Sequence, residues 1–371
     1  MPLGHELLLE SGPEPGIVSR AHSYPLDPLA DSRWPEFVAR HPRATVFHSQ
    51  PWLEVLRRTY GYRPLAFTTS PPAVPLENGL VSCQMESWLT GSRLVSLPFS
   101  DHCDPLVDRE SDLRAILSGM EAASRQAGLD YLEFRPVTQA LHRVGALSRS
   151  TYAYCFHDLD LRPDPATLYE NLHKSTKRNI QRAGRSELIY QEGRSRYLLD
   201  IFLELYVSTR RRHGVPPQPK AWFSNLIACF GAALQIRVAF RLRQPIAAIL
   251  TLRHKNVVTY KYGCSDKAFH NLGATHSLLW RALREERQSG ATSLDLGRSE
   301  RANQGLVTFK DRLGARQSVL TYSRFTASPR SRSHYGAAGP AWLENGARRL
   351  LRRLPDRLLI ASGTWLYRHI G

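Results

Sequence analysis

Apolar positions change their period along the chain, and each change marks an element. Val257 to Gly263 (VVTYKYG) is β-branched and aromatic, the composition of a half-buried strand. From Ala274 to Gln288, Leu278, Leu279, Ala282 and Leu283 recur at helical spacing on one face. Ser289-Gly290 stops that helix, and Thr292 to Gly297 (TSLDLG) begins another strand. A short helix at Gly305 to Lys310 and a strand reaching Arg324 follow. The turn from Asp266 to Ala274 aims a helix N-terminus, with its free N–H groups, past the preceding strand. An anionic ligand is well served there.

The same periods occur upstream. Residues 1–30 carry Gly, Pro and Ser without a period and read as a loose lead-in. Trp34 to Arg40 predicts a helix with Pro35 in its first turn, and Ala44 to His48 predicts a strand. Trp52, Val55, Leu56 and Tyr60 form a helical stripe ended by Gly61. Leu80 to Leu89 and Arg93 to Phe99 read as paired strands. Ser111 to Gln126 is an amphipathic helix closed by Gly128, before a strand at Tyr131 to Val137. A second set opens with a strand from Tyr152 that ends at Pro163. Helices at Pro165 to Arg185 and Arg196 to Gly214 follow, then strands at Leu234 to Phe240 and Pro245 to His254. The shared order of helices, strands, helix and strand suggests a diverged duplication. The expected division is a lead-in (1–30), a first α/β unit (31–150), a second (151–327) and a tail (328–371).

The tail has its own character. Between Trp342 and Leu354, Ala347, Leu350, Leu351 and Leu354 share one helix face, with Arg348, Arg349, Arg352 and Arg353 opposite. From Ser331 onward seven arginines face only Glu344 and Asp356, a net +5. Such a basic amphipathic helix, followed by Trp365 and Tyr367, fits either a membrane surface or a berth on the protein itself.

Composition narrows the class. At 371 residues the chain is long for one domain, and 42% hydrophobic content is that of a globular protein. Fifty Lys and Arg against thirty-three Asp and Glu leave +17. Either an anionic partner or a generally basic proteome accounts for that excess. Five scattered cysteines without CxxC spacing predict reduced thiols and no zinc site. The polar, proline-rich start and the lack of an apolar run near the ~20 residues that span a bilayer predict a cytoplasmic protein.

Three stretches carry candidate chemistry. Lys174, Lys177, Arg178 and Arg182 crowd one helix, and Lys174, Arg178 and Arg182 share a face. A phosphate or an RNA backbone would offset their repulsion, and a solvated basic face is the alternative. Lys310 could stabilise charge developing on an oxygen, although spacing alone favours a surface lysine. Asp101-His102-Cys103 are adjacent in a strand-end loop and so point in different directions, which predicts a structural role. With no HExxH, P-loop or paired-cysteine pattern, transfer without a metal or a covalent intermediate is what is left. Positioning and electrostatics would then carry catalysis.

Taken together, FHSQPWLEVL (47–56), HKSTKRNIQRA (173–183), YKYGCSD (260–266), GATHSLLWRAL (273–283), LDLG (294–297) and GLVTFKDRLGA (305–315) resemble the FemAB-like and CelD-like branch of the GNAT acyltransferase superfamily. The resemblance runs roughly from Trp34 to Phe325. It implies an α/β (α+β) fold of two tandem GNAT-like domains with mixed sheets. It also implies N-acyl transfer, without a metal, to an amine of a cell-envelope or polysaccharide precursor. The donor is acyl-CoA in CelD-like relatives and aminoacyl-tRNA in Fem-type members. By the same resemblance, Lys310 of the Phe309-Lys310 pair stabilises the tetrahedral intermediate, and Lys177 and Arg178 touch phosphates of substrate or donor. Tyr262, Ser265 and Trp52 shape the acceptor pocket. GNAT enzymes hold the CoA pyrophosphate on a Q/R-x-x-G-x-G/A turn. The equivalent here keeps Gly273 but has Ala268 and Asn271 at the other two positions. No coiled-coil arm is inserted, and no residue is assigned as general base. Two other readings stand beside this one: a non-catalytic GNAT scaffold binding an anionic glycan or lipid-linked precursor, and plain nucleic-acid binding, which lacks an aromatic stacking platform.

Overall fold

The computed structural model describes residues 22–139, 141, 150–326 and 345–370. Its elements come in two matching series. The first is β1 (Tyr24–Leu26), α1 (Arg33–Arg40), α2 (Gln50–Tyr60), β2 (Arg63–Thr68), β3 (Leu80–Met85), β4 (Arg93–Val95), α3 (Glu110–Gln126) and β5 (Tyr131–Phe134). After β6 (Ser150–Asp160), α4 (Pro165–Glu170) and α5 (Lys174–Arg185) the order returns. It runs β7 (Leu188–Gly193), α6 (Arg196–His213), α7 (Lys220–Phe230), β8 (Leu234–Arg241), β9 (Gln244–His254), β10 (Val257–Ser265), α8 (Ala274–Gln288) and β11 (Ser293–Glu300). Helix α9 (Gln304–Asp311), strand β12 (Arg316–Thr326) and helices α10 (Asn345–Arg353) and α11 (Asp356–Ile370) complete the described chain.

All twelve strands form one sheet in the order β1-β2-β3-β4-β5-β12-β6-β11-β10-β9-β8-β7. That order is a palindrome. In each series the first strand lies at an edge and the fourth and fifth pair in parallel, while the other pairs are antiparallel. The strand that follows each series crosses over. β6 pairs with β11 and β12, and β12 pairs with β5, so each repeat is finished by the other's closing strand. The crossing leaves no free edge at the centre, and the two repeats share one continuous backbone ladder.

Beyond Thr259 and Asp295 the parallel pair β10–β11 comes apart. Both strands are irregular at that point. β10 shifts register against β9 between Tyr260 and Tyr262, and β11 shifts against β6 between Asp295 and Gly297. Such bulges re-aim side chains next to functional sites. The largest core cluster spans the two repeats, since Trp52 of α2 meets Trp222 of α7 edge-on at 5.4 Å. Both rings are wholly buried. Each contributes more than the ~1.5–3 kcal/mol of a buried aliphatic side chain.

Several expectations from sequence are corrected. Ala44 to His48 is not a strand: Val46–His48 is a 3-10 turn, in which His48 Nδ1 accepts from Thr45 N–H. The helix expected over Pro165 to Arg185 is two, because Asn171 ends α4 and His173 caps α5 through Ser175 N–H. The lead-in contains β1, and neither β7 nor α7 was expected; β1 and β7 are short edge strands of mixed polarity. Trp342 to Glu344 lie outside the described residues. The tail helix α11 packs on the protein, with Leu359, Gly363, Leu366 and Tyr367 buried. All five cysteines are free thiols.

Candidate active site

The opening between β10 and β11 is filled by the loop from Leu97 to Asp104 of the first repeat. Leu97 and Phe99 hold left-handed φ values of 72° and 59°, a strain of order 1–3 kcal/mol each that packing must sustain. Asp101 Oδ2 lies 2.8 Å from Lys261 Nζ, which also donates to Phe99 O. The same ammonium sits over the rings of Phe47 and Trp52 at 5.2 and 5.5 Å. Gly297 faces Asp101 so closely that a Cβ there would lie 3.0 Å from its carboxylate, and its φ is +69°. Only glycine suits that position. Burial pushes the Asp101 carboxyl up, but Lys261 and then Arg298 and Lys310 outweigh it and hold it below the ordinary range.

His102 turns the other way, and its Nε2 donates to Asp295 Oδ2 at 2.9 Å. Burial alone would lower this imidazole; Asp295, with Asp104 and Asp101 behind it, raises it instead. Cys103 Sγ lies 3.4 Å from His48 Nε2. The three neighbours do point apart, as their adjacency predicts. Two of them, however, bind the second repeat, which the sequence did not reveal.

Lys310 corrects the surface expectation drawn from spacing. It is 2% exposed, and Nζ donates to Gly297 O and Arg298 O at 3.0 Å each, across the bulge of β11. Burial lowers its pKa to about 8, against the pull of Asp101 and Asp295. Asn303 caps α9 through Leu306 N–H and so fixes the turn that delivers the side chain. Across the ladder from Gly297 stands His157, wholly buried, whose Nε2 donates to Asp311 Oδ1 at 3.0 Å. Burial lowers the His157 pKa. A neutral imidazole that donates from Nε2 carries its lone pair on Nδ1. That atom, like His102 Nδ1 and Trp52 Nε1, is buried with no hydrogen-bond partner among the described residues. Buried polar atoms are nearly always paired, and these three are open to a water or a ligand. Adjacency in sequence assigned Asp101 a structural role, and nothing singled out His157; a lone histidine in a strand gives no signal of its partner.

The other expected residues fall elsewhere. Tyr262 Oη donates to Gln218 and accepts from Trp222 Nε1, inside the aromatic core beside Lys261. Ser265 Oγ is 2.9 Å from His270 Nε2 at the end of β10. Phe309 stacks edge-on against His276 of α8 at 5.2 Å and packs on the apolar cluster beneath α8. The turn before α8 is a 3-10 segment, Lys267–Leu272, capped by Asp266. Gly273 follows with φ +73°, and a Cβ there would overlap the backbone carbonyl of Asn179. Arg182 Nη1 donates to Asn271 O at 2.9 Å. Helix α5 is therefore seated directly on the turn. Lys177 is half-buried and spent on local structure, because Nζ donates to Glu170 O at the end of α4 and lies over the Tyr169 ring. Lys174 and Arg178 are exposed and make no ion pair among the described residues. Two groups result: a buried seam around Lys310, and an outer basic helix over the α8 turn.

Comparison with known proteins bears on both groups. Residues 170–311, which hold α5, the β10–β11 opening and Lys310, match the family model of the acetyltransferase (GNAT) domain. Among solved structures the chain is similar to FemX, with a TM-score of 0.63 at 13% identity over 78% of this chain and 94% of that one. It is also similar to a tandem GNAT protein from the clavulanic acid biosynthesis pathway, with a TM-score of 0.51 at 13% identity over 83% and 99% of the two chains. A third similar structure is the C-terminal domain of a putative lysylphosphatidylglycerol synthetase from Agrobacterium fabrum, with a TM-score of 0.51 at 13% identity over 81% and 92%. No curated protein matches the chain by sequence. With the palindromic sheet and its parted parallel strands, these matches place a GNAT acyltransferase domain at residues 170–311, set within a FemX-like tandem GNAT fold.

Proposed function

We propose that the protein is an N-acyltransferase that moves an acyl group from aminoacyl-tRNA to an amine of a cell-envelope or polysaccharide precursor, on the cytoplasmic side of the membrane. The seating of Asn179 on Gly273 carries the choice of donor. At the place where the resemblance puts the CoA pyrophosphate, a backbone carbonyl of α5 covers the glycine and Arg182 engages Asn271. The phosphates of the donor then fall to side chains, with Lys174 and Arg178 exposed on the outer face of α5. An acyl-CoA donor held by those same side chains is the alternative.

In the transfer the acceptor nitrogen bonds to the acyl carbon and the ester oxygen of the donor leaves with the electron pair. Lys310 is the charge that stabilises the intermediate oxyanion, which asks it to shift from the carbonyls it now binds. His157, neutral and oriented by Asp311, takes the proton from the attacking amine through Nδ1 and gives it to the departing ester oxygen, which restores the neutral imidazole. The chain itself supplies both groups, and no metal takes part in the steps. By the resemblance, Trp52 of the first repeat and Tyr262 of β10, whose rings both lie near the Lys261 ammonium, shape the acceptor's pocket. Because Lys310 is buried and doubly bonded, a binding module that never turns over is a second reading.

A titration with aminoacyl-tRNA, uncharged tRNA, CoA and acetyl-CoA at two salt concentrations tests the donor. Binding that depends on the aminoacyl group supports the proposal. Saturable CoA binding that resists salt moves the donor to acyl-CoA. Tight binding of any donor without transfer to any amine favours the binding module.

A further inference from the structure

The last helix turns one side to the protein and another to solvent, and the solvent side mixes arginines with large apolar side chains. Leu359, Gly363, Leu366 and Tyr367 are buried. Tyr62 Oη donates to Tyr367 O, Arg93 Nη2 donates to His369 O, and Tyr367 Oη donates to Pro216 O. These bonds tie α11 to both repeats, so its outer face is a fixed part of the surface. Leu358 and Trp365, two turns apart on that face, are 57% and 48% exposed. Trp88, from the β3–β4 loop of the first repeat, is 77% exposed and lies 6.0 Å from Trp365. His369 stands edge-on to both indoles, and its ring lies 3.0 Å from Ser87 Oγ. Leu350 of α10 adds a further exposed apolar side chain.

The charge beside these side chains has one sign. Residues 345–370 hold six arginines and a single carboxylate, Asp356, which pairs with Arg211. Arg348, Arg349, Arg352, Arg353, Arg357 and Arg368 are all exposed and make no ion pair among the described residues. A second protein would match a patch of this kind with carboxylates, and two copies of this chain would repel one another across it. Indoles beside arginines are the side chains that settle at the headgroup level of a bilayer. Among the described residues no helix is long and apolar enough to cross a membrane, so the contact lies in the plane of the surface.

We infer that Trp88, Trp365, Leu358 and the arginines of α10 and α11 form a docking face for an anionic lipid bilayer. This deepens the proposed function by naming the surface on which a lipid-linked acceptor would be met, although the docking itself needs no acyl transfer. Phosphate headgroups would pair with the arginines while the two indoles and Leu358 enter the interface.

The test is co-sedimentation of the full chain with vesicles of equal parts phosphatidylglycerol and phosphatidylcholine, and with phosphatidylcholine alone. Neither donor nor acceptor is added, so the result stands apart from any failure of the transferase reading. The expected result is binding to the anionic vesicles only, weakened about tenfold or more in W88A/W365A and again in R349E/R353E. Thermal melting of each variant checks that the fold is kept, and a Trp88→Phe variant that restores part of the binding separates insertion from a folding defect. Undiminished binding by W88A/W365A overturns the inference. So does a wild-type chain that ignores anionic vesicles, or one that forms a dimer which W88A/W365A abolishes.

Discussion

Asp101 of the first repeat and Lys261 of the second form a buried ion pair, 2.8 Å apart, inside the opening between β10 and β11. The carboxylate is surrounded by Lys261, Arg298 and Lys310, and the Asp101 backbone carbonyl accepts from Tyr322 Oη at 2.7 Å. The pair therefore couples the two repeats at the point where the transfer is proposed. Removing one member of a buried pair strands the other, which costs about 3–5 kcal/mol. Asp101→Asn is expected to lower stability by that order in urea unfolding. Asp101→Asn with Lys261→Met is expected to recover part of the loss. A single variant as stable as the wild type would show that the seam does not depend on this charge.

The pH profile of transfer follows from two shifted groups. Lys310 must be charged, and burial brings its pKa to about 8, so activity falls as pH rises through that value. His157 must be neutral, and burial takes its pKa below 6.5, so activity falls only as pH drops under that ordinary value. A bell is expected, with its alkaline limb near pH 8. Asp101 raises the Lys310 pKa, so Asp101→Asn should move the alkaline limb to lower pH. Lys310→Ala is expected to cost about 10²–10³ in kcat, and His157→Gln about 10² with loss of the acid limb. A profile flat from pH 6 to 10, or full turnover by Lys310→Ala, rules out the assigned roles.

How far the sequence shows this arrangement depends on the range of the interaction. The strand, turn and helix from Val257 to Gln288 were legible because their periods are local, and so was the repeated order of elements. The exchange of β6 and β12 was not, since strand pairing across the centre of the sheet leaves no trace in either strand's own pattern. Lys310 shows the same limit. Four residues on each side predict an exposed helix position, and only the carbonyls of Gly297 and Arg298 explain why the ammonium is inside. Resemblance to the Fem-like branch drew attention to Lys310 where periodicity did not. Lys177 fails in the opposite sense: it belongs to a basic helix by sequence, yet its ammonium closes the end of α4. The basic tail offered membrane or protein as its berth; the structure shows α11 packed on the protein, and a membrane contact for its outer face is proposed.

Gly273 is the position where a small change discriminates most sharply. Its φ of +73° disfavours any L side chain by about 1 kcal/mol or more, and a Cβ would press on Asn179 O. Gly273→Ala is expected to lower the melting temperature and to loosen α5 from the turn. Hydrogen exchange at the α8 N-terminus should rise with it. If α5 is what keeps CoA from this turn, the variant also gains CoA affinity. Wild-type stability in Gly273→Ala would mean that the close approach has no consequence.

The basic helix separates two roles that its sequence runs together. Lys174 and Arg178 are exposed and unpaired among the described residues, so replacing both with alanine should leave stability within about 0.5 kcal/mol. Each phosphate contact contributes close to one unit to the slope of log K against log salt. The double variant Lys174→Ala/Arg178→Ala is therefore expected to reduce the salt slope of tRNA binding by about 2. Lys177→Ala should act the other way round. It loses the bond to Glu170 O, about 1 kcal/mol of stability, and leaves the salt slope unchanged. Titrations of the three proteins at four salt concentrations, with melting curves beside them, decide the matter. Equal slopes in the wild type and the double variant would take the donor's phosphates off α5, and with them the argument for tRNA as donor.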